Sequence, residues 1–99
     1  MRRKAKTDGN QAEIVGLLRA NGFSVYPAHA MGNGFPDLVA GWGKQTFLIE
    51  VKDGKTPPSQ QALTEAQVAF FEEWRGHAEV LNSAEAVRQW VAEVKGRRG

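Results

Sequence analysis

The chain has 99 residues, a formal net charge of +2, and is 41% hydrophobic and 24% charged. That composition fits one globular domain with a single core and excludes a disordered polyelectrolyte. No apolar run approaches the ~20 residues of a membrane span. With no cysteine there is no disulfide framework and no thiolate metal site.

The basic start, Arg2, Arg3, Lys4 and Lys6, is followed by no apolar stretch, so it does not read as a secretory signal. A reducing cytoplasm is the expected location. Lys95, Arg97 and Arg98 crowd the other end, and the acidic residues gather between. Basic ends suit a polyanionic partner, because each phosphate contact releases counterions. The plainer alternative is a pair of solvated tails, about residues 1–7 and 95–99, on a single domain.

Asp8 is placed to cap a first helix running to about Asn21, with Ile14, Leu17 and Leu18 at helical spacing and Asn21-Gly22 as its stop. Glu13 lies beside that stripe, at the edge of the buried face. Phe23 to Tyr26 reads as a short strand stopped by Pro27. A loop from Ala28 to Pro36 holds Gly32 and Gly34. Two apolar runs follow, 37–42 and 45–52, separated only by Gly43-Lys44, which reads as a tight hairpin turn.

Asp53 to Leu63 is a polar connection with Gly54, Pro57 and Pro58. Thr64-Glu65-Ala66-Gln67 fits a capping box opening a second helix, whose inward face falls to Val68, Phe71 and Trp74. Ala78 to Leu81 is a last strand. Ser83 caps a final helix striped with Val87, Trp90, Val91 and Val94. The order is α-β-β-β-α-β-α. A strand reached through a helix normally runs parallel to the strand before it, so the expected fold is α/β, a mixed sheet flanked by helices.

A hairpin symmetric about Gly43-Lys44 pairs residues whose numbers sum to 87, which sets Asp37 opposite Glu50. Opposite residues share a face with Cβ atoms about 5 Å apart, and Lys52, two beyond Glu50, points the same way. Opposed like charges destabilise a sheet. A divalent cation reverses the sign of that interaction, and hard cations such as Mg²⁺ take one or two carboxylates plus water and substrate phosphate. The bland reading is a solvent-facing Glu-Lys pair on a surface hairpin. Phe47, Leu48, Ile49 and Val51 argue against it, because a strand apolar on both faces is central and stray charge there is expensive.

Gly34-Phe35-Pro36-Asp37-Leu38, then Ile49-Glu50-Val51-Lys52, then Gln67 on the next helix, resembles the PD-(D/E)XK nuclease superfamily, more narrowly the VRR-NUC group (virus-type replication-repair nucleases), and is similar to its small standalone phage and bacterial members. The resemblance covers roughly residues 10 to 82. It implies a restriction-endonuclease-like fold in a bacterial or phage-infected cell. Asp37 and Glu50 would ligate Mg²⁺, with Mn²⁺ able to substitute, and the Val51 carbonyl would assist. Lys52 would orient the attacking water. Glu13 matches the acidic residue of the family's first helix, and Gln67 a glutamine near the site.

The expected activity is metal-dependent hydrolysis of phosphodiester bonds in structured DNA, four-way (Holliday) junctions foremost, by a homodimer without membrane attachment. Arg2, Arg3, Lys4, Lys6 and Lys55 are the expected nucleic-acid contacts. Gly34 joins them because a glycine lets phosphate approach the backbone closely. The alternatives are a non-catalytic nucleic-acid-binding module with a nuclease-like fold, and a flap or single-strand nuclease.

Overall fold

Gly43 and Lys44 both hold positive φ, 61° and 67°. That is the backbone a two-residue hairpin turn needs to match the twist of its strands. The turn joins β2 (Leu38–Trp42) to β3 (Gln45–Val51), which pair antiparallel with Leu38 opposite Ile49 and Trp42 opposite Gln45. One step further along that register, Asp37 faces Glu50.

The computed structural model describes residues 9–98. It is an α/β fold: a four-stranded mixed sheet in the order β1-β2-β3-β4, flanked by helices. β1 (Ser24–Pro27) adds antiparallel to β2, and β4 (His77–Leu81) adds parallel to β3. Helices α1 (Gln11–Ala20), α2 (Pro58–Gln61), α3 (Glu65–Glu73) and α4 (Ala84–Arg98) complete it, with a 3-10 turn at His29–Met31.

The core lies between one face of the sheet and the pair α1 and α4. Ile14 and Leu18 from α1, and Val87, Trp90, Val91 and Val94 from α4, pack against Val25, Leu38, Ala40, Phe47, Ile49, Val51 and Leu81. Alternation along β3 then sends Glu50 and Lys52 to the other face, the side on which α3 stands. β3 has a neighbour on both edges, and Phe47, Leu48, Ile49, Glu50 and Val51 are all buried.

Several expectations shift. The predicted Asp8 cap lies outside the described residues. Asn10 occupies the N-cap position of α1 without a side-chain capping bond. The polar connection contains one helical turn, α2, where a proline at its start supplies the pre-set φ. α4 continues through Lys95 and Arg97 to Arg98, so these basic residues stand on a helix. Lys95 donates to the Asn21 carbonyl at 2.8 Å.

The largest change concerns α3. None of its residues is buried, and Val68 and the C-cap Trp74 are about two-fifths exposed. Its aromatic residues form a satellite cluster instead. Phe70 meets Phe35 edge-on at 5.3 Å and stacks on Trp74 at 5.4 Å. Helical spacing identifies which residues share a face; it does not decide how deeply that face is buried.

Candidate active site

β2 and β3 bring Asp37 and Glu50 together as opposed residues, and α3 closes over them with Gln67. Oδ2 of Asp37 accepts from the Val51 backbone N–H at 2.9 Å. The Asp37 carbonyl accepts from Ala28 N–H at 2.7 Å, tying the preceding loop to the strand. Glu50 is 3% exposed and Lys52 9%. The Lys52 ammonium stands 3.5 Å from Oε2 of Glu50. It donates to Oε1 of Gln67 at 3.1 Å, and the Gln67 amide donates to Oε2 of Glu50 at 2.9 Å.

Gln67 therefore does two jobs. Its Oε1 also accepts from Thr64 N–H at 2.9 Å, and its own N–H donates to the Thr64 hydroxyl at 3.2 Å, which completes the capping box. The capping role and the site role coexist because an amide oxygen has two lone pairs.

Burial pushes the Glu50 carboxyl up from 4.5 to about 7, and the Asp37 charge pushes it the same way, while Lys52 pulls it down. Oε1 of Glu50 is buried without a hydrogen-bond partner. A buried acceptor left in this state is costly. The two opposed carboxylates are a hard-oxygen pair of the kind Mg²⁺ takes with water and phosphate. The residues present fit such a cation. No group of three or more His, Cys, Asp or Glu residues among the described ones is placed to hold a metal. A cation here would draw its other ligands from backbone, water and substrate.

A raised carboxyl pKa makes the metal-free protein pH-sensitive. Between about 4.5 and 7 the folded chain keeps a proton that the unfolded chain has released, so stability falls as pH rises through that window. The effect is at most about 3 kcal/mol. Glu50→Gln imitates the protonated state. In EDTA it should match the parent near pH 5 and be the more stable at pH 8, as urea unfolding would measure.

The other expected site residues lie in different places. Glu13 is exposed on α1 and lines a separate concavity of about 430 Å³ with Asn10, Asp53, Lys55 and Glu85. Lys55 is exposed, its N–H tied to Oδ1 of Asp53 at 2.9 Å. Gly34 has φ +81°, and a Cβ there would fall 2.3 Å from the Ala66 carbonyl oxygen. Arg2, Arg3, Lys4 and Lys6 lie outside the described residues.

Sequence reading missed Asn10. Its side-chain amide donates to the carbonyls of Lys52 at 3.1 Å and Asn82 at 3.0 Å, which fixes the end of β3 beside the end of β4. No local signal points there, since the partners lie 42 and 72 residues away. Comparison of the chain with family models, curated proteins and solved structures finds no match.

Proposed function

We propose that the chain is a divalent-metal-dependent DNA endonuclease. The observation that carries this reading is the opposed pair Asp37 and Glu50. A folded chain has little reason to bury a carboxylate with one unpartnered oxygen facing a second carboxylate, unless a cation compensates them. The resemblance to VRR-NUC nucleases and their restriction-endonuclease-like topology rests on the same residues.

A bound Mg²⁺ would stabilise developing negative charge and lower the pKa of a water. The chain's own residues do the rest. Asp37 is held in place by the Val51 N–H. Glu50 is oriented by the Gln67 amide. Lys52 lies close enough to both Glu50 and Gln67 to be fixed in direction, and its ammonium can orient the attacking water and meet charge on the phosphate. The Lys52 head group cannot itself ligate a metal. The basic residues at the start of the chain supply attraction for the phosphate backbone.

The preferred substrate is a four-way junction, cut by a homodimer. Each small chain carries one site, and symmetric resolution needs two cuts related by a two-fold axis, the commonest symmetry of soluble assemblies. Tyr26, Met31 and Trp74 are large side chains left 70%, 62% and 41% exposed, and aromatics and Met are enriched at interfaces.

The test is cleavage of labelled four-way junctions, flaps, single strands and plain duplex, with Mg²⁺ or with EDTA, alongside light scattering at micromolar concentration. Junction cleavage by a dimer in Mg²⁺ alone is expected. A monomer that nicks only flaps would remove the junction reading and keep the nuclease. Tight binding without cleavage of any DNA in either metal condition would leave a binding module.

A further inference from the structure

Gly34 and the first turn of α3 are in closer contact than any side chain at position 34 permits. A Cβ there would lie 2.3 Å from the Ala66 carbonyl oxygen, 2.6 Å from its carbon and 3.1 Å from the Gln67 nitrogen. Real Cβ atoms do not approach backbone so closely, and φ +81° is strained for any side chain. The loop that delivers Asp37 is thus seated directly on the peptide that carries Gln67. Phe35, the next residue, continues the contact by meeting Phe70 edge-on at 5.3 Å.

The other side of the same turn is fixed by Thr64. Its hydroxyl accepts from Gln67 N–H at 3.2 Å, and its own N–H donates to Oε1 of Gln67 at 2.9 Å. That oxygen is also the acceptor for Lys52, at 3.1 Å. The acceptor that orients Lys52 is therefore positioned by Gly34, through the Ala66–Gln67 peptide, and by Thr64.

We propose that Gly34 and Thr64 are positioning residues of the active site: together they latch the first turn of α3 so that Gln67 sets the direction of the Lys52 ammonium and the Glu50 carboxylate. The proposal rests on the nuclease reading for its effect on turnover. The latch itself is a property of the folded chain and is measured without DNA. Gly34 then acts through α3: it is half-buried, and the Ala66 carbonyl takes the space that a side chain at position 34 would need.

Three variants test it: Thr64→Ala, Thr64→Ser and Gly34→Ala, each read by NMR of the Gln67 side-chain amide and by single-turnover cleavage with DNA affinity measured separately. In Thr64→Ala the Gln67 amide resonances should move and the cleavage rate should fall about fivefold, the order of one lost capping bond. DNA affinity should stay the same. Thr64→Ser keeps the hydroxyl and should restore both readouts. Gly34→Ala should move the same resonances further and slow cleavage more, again at unchanged affinity.

Gln67 resonances that stay in place in folded Gly34→Ala would overturn the latch. So would a Thr64→Ser that behaves like Thr64→Ala, since the hydroxyl would then not be what matters. A Gly34→Ala defect confined to DNA affinity would overturn it in favour of direct phosphate contact. If the unaltered protein cleaves no DNA, the nuclease reading falls, and the NMR comparison alone decides whether the latch exists.

Discussion

Glu50→Gln should cleave DNA on the order of a thousandfold more slowly than the unaltered chain, equivalent to about 4 kcal/mol of transition-state stabilisation. The substitution keeps the shape of the side chain and an oxygen that can accept from the Gln67 amide, now at 2.9 Å from Glu50. It removes the charge that a cation needs. The folded state should not suffer, since relief of desolvation and of repulsion from Asp37 outweighs the lost attraction of Lys52. Loss of cleavage therefore cannot be assigned to unfolding, which the urea measurement checks in the same preparation. Asp37→Asn should act alike, although it also weakens the acceptor for Val51 N–H. DNA binding should survive in both. Glu50→Gln cutting at the parental rate would remove the assignment.

Lys52→Met should separate turnover from metal binding. The ammonium is nearly buried, 3.5 Å from Glu50 and 3.1 Å from Gln67. Met fills a similar volume without the charge. Removing one preorganised cationic or hydrogen-bonding group from a reacting centre costs about a hundredfold to a thousandfold in rate. Metal affinity should change little, because two effects oppose. Without Lys52 the Glu50 carboxyl holds its proton more tightly, yet an incoming dication meets one less positive charge. Turnover and the Mg²⁺ midpoint, measured on one substrate, give the comparison. A large shift in midpoint with little change in saturated rate would mean that Lys52 tunes the cation site instead of serving the reaction.

The hairpin was legible because its information is local. A two-residue turn fixes register, register fixes which residues oppose, and a strand has a period of two. Asp37, Glu50 and Lys52 share a face for that reason alone. The stripe of α4 was legible because Val87, Trp90, Val91 and Val94 repeat at helical spacing and all four are buried. The parallel addition of β4 followed from the crossover rule.

What could not be read depends on distances between segments. Glu13 is exposed on α1, and its neighbours depend on how α1 crosses the sheet; it lines a concavity with Asp53 and Glu85. The α3 stripe was placed inward because spacing says nothing of depth. Gly34 reads from the sequence as a phosphate contact. Its closeness to Ala66 is set by a helix 32 residues later in the chain. Asn10 shows the same limit: one amide holds two strand ends that are remote in sequence.

We expect the opposed carboxylates to hold a divalent cation. Paramagnetic Mn²⁺ added in small amounts to ¹⁵N-labelled protein tests it directly, because amide signals broaden according to distance from the ion. Glu13, Asp53 and Glu85 line another concavity and serve as the comparison within the same chain. Broadening should centre on Asp37, Glu50, Val51, Lys52 and Gln67 and be released by Mg²⁺, while Glu13 and Glu85 keep sharp signals. Broadening centred on Glu13, Asp53 and Glu85, with the Asp37 and Glu50 signals sharp, would contradict the account.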